Sequence, residues 1–280
     1  MLVERGAKHL ILISRKRSFA PELADLLVDP LFTTTQATGL ADWVQDLLFP
    51  AHNSLTYIYI THGHGDHFFD LSTLLDRFPS AVAVATAGTI AHMEEQTSPT
   101  GRADWEAWFP GDQINFPTSP LPVRALPSDN LTLTLDTHTL HAVPAGHSDT
   151  DSTSFLWVPS LRLAVTGDIV YNGAYSYLAE SLTPALRNKW VAAIDKVESY
   201  HPESVVVGYK IPGAVDGTWT LEATRKYVRL WDRLAAVATD AYDMWEKVRE
   251  ADPGKNGEFV LWWSCLAQFP ESGGNGTVKG

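Results

Sequence analysis

Residues 55–69, LTYIYITHGHGDHFF, restrict what this chain can fold into more than any other stretch. Leu55 to Ile60 is an apolar run rich in aromatic and β-branched residues, which reads as a buried strand. It ends in three histidines and one aspartate within the seven residues 61–67. Imidazole is the commonest protein ligand for transition metals, and carboxylates complete such sites. Gly63 and Gly65 permit a tight backbone, so that His62, His64, Asp66 and His67 can turn towards one place. Four such side chains on one turn crowd a single tetrahedral ion. They fit two neighbouring ions better, with the HxH pair on one and the DH pair on the other. The fold must then gather further ligands at the ends of other strands.

Such strand ends are present. Short apolar runs bounded by turn residues recur as HLILIS, ADLLVDP, AVAVAT, LTLTLD, LHAVPAGH, SFLWV, LRLAVTGD and SVVVGYK. Leu131, Leu133 and Leu135 alternate with Thr132 and Thr134, and FLWVPSLRLAV reads as a hairpin turning at Pro159-Ser160. Helical stripes interleave with these strands. Leu71, Leu74, Leu75 and Phe78 share one face, and Thr183-Pro184 reads as an N-cap and first helical residue ahead of Leu186, Trp190, Ile194 and Val197. The longest pattern, from about Leu221 to Val248, reads as one helix carrying Tyr227, Trp231, Leu234, Ala238, Ala241, Trp245 and Val248 on one side. Many strands with a few amphipathic helices imply two sheets with helices outside. No linker interrupts residues 1–270, which are expected to form a single domain, with 271–280 a disordered tail.

Charge narrows the partners. The net charge is −12, and the only basic run is Arg15-Lys16-Arg17. A nucleic-acid partner, which needs a basic face, is therefore not expected. The apolar run near the N-terminus is too short for a signal peptide or a membrane span. One cysteine, Cys265, excludes an internal disulfide and fits a reducing compartment. The expectation is a cytoplasmic monomer or homodimer acting on a small molecule.

Two further strand ends repeat the setting of the first cluster. His147 closes LHAVPAGH and Asp168 closes LRLAVTGD, each after an apolar strand and a glycine. Taken together, LLVDP, HGHGDH, AGHSDTDS, TGDIVY and VVVGYK resemble the ordered motifs of the metallo-β-lactamase superfamily, over roughly residues 24–212. The resemblance implies an α/β fold, an αββα sandwich of two mixed sheets with outer helices and metals at one edge. It implies that His62, His64 and His147 hold a first metal, that Asp66 and His67 hold a second, and that Asp168 bridges both. Asp29 would be a supporting carboxylate. One position departs from the pattern: the late strand SVVVG should end in histidine, and Tyr209 stands there. The second position could be weaker, could take Tyr209 as a phenolate, or could be empty. A second likeness joins residues 2–16, LVERGAKHLILISRK, to ketoreductase domains of polyketide synthases. No glycine-rich dinucleotide loop precedes it, and no nucleotide function is expected.

The activity implied is metal-dependent hydrolysis of a small lactone, lactam or (thio)ester by attack of metal-bound hydroxide. Zn²⁺ is the expected cofactor, as one or two ions, with Fe or Mn compatible with the same donors. An iron-dependent oxidoreductase of the same fold and a phosphodiesterase are the alternatives. Asp66 and Asp168 are candidate proton acceptors, and Tyr209 a candidate donor to the developing oxyanion. Tyr171, Tyr175 and Tyr177, in the loop after Asp168, with Phe68, are expected to wall the substrate pocket. Lys210 is a candidate anchor for a carboxylate or an oxyanion.

Overall fold

The computed structural model describes residues 2–5, 10–13, 24–48 and 54–272. Residues 273–280, most of the expected tail, and much of the ketoreductase-like stretch lie outside the described residues. The first sheet has six strands in chain order: β1 (Leu2–Arg5), β2 (Leu10–Ile13), β3 (Ala24–Val28), β4 (Ser54–Tyr59), β5 (Val82–Ala85) and β6 (Arg124–Ala125). Strands β1 to β3 are antiparallel and β3 to β6 parallel. In the second sheet the order is β12 (Ser204–Val206), β10 (Leu163–Val165), β9 (Thr153–Val158), β8 (His138–Gly146) and β7 (Thr132–Leu135). Only its β10–β12 pair is parallel. A two-stranded parallel ribbon joins β11 (Tyr171–Asn172) to β13 (Tyr209–Lys210), pairing Tyr171 with Tyr209.

Side-chain alternation on the strands divides the apolar residues into three layers. Leu26, Val28, Tyr59 and Val84 of the first sheet meet Leu133, Leu135, Leu140, Leu156, Val158, Leu163, Val165 and Val206 of the second. Their chain neighbours point the other way. Leu27, Ile58, Ala83 and Ala85 face α1 (Thr34–Leu48), α2 (Leu71–Arg77), α3 (Ala87–Gln96) and α4 (Pro99–Trp108). Phe155, Ala164 and Val205 face α5 (Pro184–Glu198), α6 (Trp219–Ala235), α7 (Ala241–Ala251) and α8 (Glu258–Gln268). The result is two sheets with helices outside, as the strand and helix patterns imply, in the αββα sandwich that the resemblance implies. Each fully buried Leu, Val or Phe side chain contributes on the order of 1.5–3 kcal/mol. Among the described residues no helix is long and apolar enough to cross a membrane.

The hairpin at Pro159 and the Thr183 cap both form, the latter accepting from Leu186 N at 3.2 Å. The single long helix expected from Leu221 to Val248 does not: it is two helices, α6 and α7. The apolar stripe runs across the break, so periodicity could not reveal it. Capping chemistry makes it. Asp240 Oδ1 accepts from Asp243 N at 2.9 Å, while Asp243 Oδ2 accepts from Thr239 N at 2.9 Å, a reciprocal box that starts a new helix. Asp240→Ala should therefore cost about 0.5–2 kcal/mol of stability in urea unfolding. No change in the midpoint would show that the break is set elsewhere.

Candidate metal centre

Loops leaving β3, β4, β8, β10 and β12 meet at one edge of the sandwich. Backbone bonds bring them into register: Asp29 N donates to Tyr59 O, Ser154 N to Thr61 O, Thr166 N to Val206 O and Gly208 N to Gly167 O. The two glycines of the HGHG run serve close approach. A Cβ on Gly63 would lie 2.6 Å from the His92 ring, and one on Gly65 would lie 2.2 Å from Phe69. Neither has a positive φ, so lack of room is the constraint here and left-handed backbone is not.

The buried hydrogen bonds fix which nitrogen each histidine presents. Asp29 accepts from Thr61 N at 2.8 Å and from the Thr61 hydroxyl at 2.7 Å. Having given its only proton to Asp29, the Thr61 hydroxyl can only accept from His62 Nδ1, at 3.0 Å. His62 Nε2 is then a bare lone pair, buried and without a hydrogen-bond partner, 3.5 Å from Asp149 Oδ2. Asp29 also takes a proton from His67 Nδ1 at 3.0 Å. His67 Nε2 is left facing Asp168 Oδ1 at 3.4 Å and Asp66 Oδ2 at 3.7 Å. On His64 the roles of the nitrogens reverse. Its Nε2 donates to Glu180 Oε1 at 2.9 Å, and Nδ1 faces Asp149 Oδ2 at 3.0 Å. Thr150 holds the other Glu180 oxygen at 2.5 Å.

Ring nitrogens and carboxylate oxygens thus face each other in a buried cluster. Burial, then the neighbouring His67 and His64, keep His62 neutral, the form that ligates metals. Burial also opposes charge on His64 and His67, but the carboxylates outweigh it. Glu180 and Asp149 raise His64, and Asp168, Asp66 and Asp29 raise His67. Burial opposes ionisation of Glu180 too, yet His64 and then Thr150 hold it at about 2. The cluster attracts positive charge, whether proton or metal ion. The donor atoms of His62, His64 and Asp149 all lie within 4.8 Å of one another, as do those of Asp29, His62 and His67 and of His64, His92 and Glu180. Two of these three sets use carboxylates, Asp29 and Glu180, that already accept protons from the histidines. The set with Asp149 is the one that combines three buried residues with an unpartnered nitrogen and an unpartnered oxygen.

The remaining residues fall out as follows. Asp66, His67 and Asp168 are brought together, and Asp168 Oδ1 is buried without a hydrogen-bond partner. His147 is in none of the three donor sets; it bonds Asp151 Oδ1 at 2.8 Å through Nδ1 and Ser181 Oγ at 2.8 Å through Nε2. Tyr209 donates to Asp66 Oδ2, and Tyr171 donates to Asp168 Oδ2 at 2.7 Å. Their rings stack at 5.8 Å and 10°, as their pairing in the ribbon requires. Lys210 is paired with Asp216 at 3.0 Å.

The expected pocket wall needs correction. Phe68 is fully buried against α1 and α2, with no face left for a substrate. Tyr175 is buried in the outer layer of the second sheet, its hydroxyl reaching towards Asp252 O. Tyr171 is also buried there and supports Asp168. Of the three tyrosines, Tyr171 meets the cluster only through its hydrogen bond to Asp168, while Tyr177 stands edge-on to His64 at 5.2 Å. The sequence reading missed Asp149, Glu180, His92, Thr61 and Ser181. Asp149 carried a usable signal, standing two residues after His147 just as His64 follows His62. Glu180 and His92 lie in distant segments with no local pattern to mark them.

Comparison with known proteins identifies the family and the fold. A sequence profile of the metallo-beta-lactamase superfamily matches residues 23–209. A metallo-beta-lactamase family protein from Thermus thermophilus superposes with a TM-score of 0.61 at 15% identity, covering 93% of this chain and 86% of that one. A metallo-beta-lactamase from Pontibacter korlensis gives 0.53 at 16%, covering 81% and 98%. One from Pseudomonas aeruginosa, in a mono-zinc form, gives 0.53 at 15%, covering 79% and 83%. No curated protein matches the sequence. With its profile matched over most of its length and its histidines at the edge of an αββα sandwich, the chain belongs to the metallo-beta-lactamase superfamily.

Proposed function

We propose that this protein is a metal-dependent hydrolase that opens a small lactone, lactam or (thio)ester. One observation carries the reading: His62 Nε2 and Asp149 Oδ2 are buried with no hydrogen-bond partner, beside His64 Nδ1. Unpaired buried polar atoms are costly, about 1–3 kcal/mol each, and ligation is what satisfies them. His62, His64 and Asp149 would hold the ion, with His147 nearby in sequence to Asp149 and releasable from Ser181. His67, Asp168 and Asp66 would serve a second, more carboxylate-rich position. Zn²⁺ is the ion proposed for the first, while the second also tolerates Mn²⁺ or Fe²⁺. When bound, such an ion polarises a carbonyl and yields a nucleophile from water at neutral pH.

The chain's own residues do the rest. Asp29 orients the His62 and His67 rings, and Glu180 that of His64, so each turns its other ring nitrogen towards the metal position. Asp66 keeps 17% of its side chain exposed and is the carboxylate placed to take a proton from water, while Tyr209 fixes its orientation. Asp168 is more deeply buried and is held by Tyr171. The −12 charge and the carboxylates at the site disfavour a phosphodiester.

Hydrolysis of a panel of lactones, lactams and thioesters should be abolished by exhaustive chelation and restored by Zn²⁺; activity that survives chelation overturns the reading. His62→Ala should lose the metal and nearly all turnover. Glu180→Ala should weaken metal affinity by about 10–100-fold in calorimetric titration, because His64 loses the carboxylate that orients it. Tyr209→Phe should leave the metal content unchanged by elemental analysis while lowering kcat. Metal lost from that variant would make the phenol a ligand.

A further inference from the structure

The corrected wall around Tyr177 continues outward in a series of aromatic rings. Tyr177 stands edge-on to His64 at 5.2 Å and 87°. Trp263, on α8, brings its indole N–H within reach of the Tyr177 hydroxyl. Trp108, the last residue of α4, packs edge-on against Trp263 at 4.6 Å, and Phe259 lies 5.7 Å from Trp263. Trp108 remains 37% exposed and Phe259 64%. Helix α4 belongs to the outer layer of the first sheet and α8 to that of the second, so both layers contribute rings to one path. Here the apolar surface rises from the metal-site histidine to solvent.

We propose that Tyr177, Trp263, Trp108 and Phe259 form a track that binds the acyl chain of the substrate as it leads away from the reacting carbonyl. The proposal rests on the hydrolytic reading of the site and narrows its substrate class. Rings in series outrun a single compact ring and suit a linear hydrocarbon, which gains contact with each added methylene. The chain cannot be anionic, since Glu180 and Asp149 flank the start of the track and the Lys210 ammonium is engaged by Asp216, and the apolar rings favour a hydrocarbon over a cation. The track thus sets acyl-length preference, a task separate from ligation.

The test uses methyl ketones from 2-butanone to 2-decanone, which present a carbonyl with no leaving group. Their binding to the purified protein with its bound metal is read by calorimetry, beside hydrolysis of p-nitrophenyl esters of matching length. Affinity should rise about two- to fourfold per methylene over the length of the track. In Trp108→Ala and Phe259→Ala that rise should flatten, with melting unchanged in Phe259→Ala, whose side chain is mostly exposed, and slightly lowered in Trp108→Ala, which loses its contact with Trp263. A flat dependence in the unmodified protein, or an unchanged slope in both variants, overturns the track. So does an unchanged slope accompanied by loss of a dimer in size-exclusion chromatography, which would assign the rings to self-association. If ketone affinity lengthens as expected while no ester is hydrolysed, the track stands and the hydrolytic reading falls.

Discussion

The centre depends on one carboxylate. Asp29 accepts protons from Thr61 N, the Thr61 hydroxyl and His67 Nδ1, and through Thr61 it dictates the tautomer of His62. Three hydrogen bonds in a buried space hold it in place. Its backbone is part of the same device. Asp29 follows β3 with φ of 52°, a left-handed conformation that Asp tolerates better than most residues, and its N–H is tied to Tyr59 O of β4. The parallel pairing of β3 and β4 therefore sets the direction of two histidine lone pairs. Two strands and one aspartate convert a run of apolar residues into an aimed pair of ligands.

The fold was largely legible because it rests on alternation. Leu26 and Val28 against Leu27, or Leu163 and Val165 against Ala164, announce a strand buried on both faces, and the structure divides them between inner core and helix layers in that way. The α6–α7 break was illegible because its apolar stripe continues through Asp240, and only a side-chain-to-backbone bond decides it. At the site, the histidine cluster could be read because its members are adjacent in sequence. Glu180 could not, since its place beside His64 is made by a loop 116 residues further along the chain. The aromatic wall misled for a related reason. Tyr171, Tyr175 and Tyr177 share one segment, but irregular backbone sends the first two inward and only the third towards His64.

The charge of the centre follows from its hydrogen bonds. Each carboxylate that fixes a histidine adds a negative charge to a space with little water, and Asp66, Asp149 and Asp168 add more. In a medium of low effective dielectric such a group of charges is unfavourable unless cations enter it. The raised His64 and His67 and the depressed Glu180 are the same fact seen from both partners. The surface is also acidic, so the attraction for cations does not stop at the rim.

The two tyrosines of the β11–β13 ribbon give the centre its asymmetry. Tyr171 and Tyr209 are paired in register, their rings stack, and each donates to a different carboxylate of the His67 side. A phenol in that place donates where an imidazole would have offered a lone pair. On the His67 side one oxygen of each aspartate is therefore already engaged by a phenol, leaving Asp168 Oδ1 unpartnered, whereas on the His62 side neither His62 Nε2 nor Asp149 Oδ2 has a hydrogen-bond partner. The difference arises from a two-residue ribbon, the smallest sheet in the molecule, because strand pairing places side chains of the same face side by side. One tyrosine at a strand end thus sets the balance between two halves of the site without disturbing the layers beneath it.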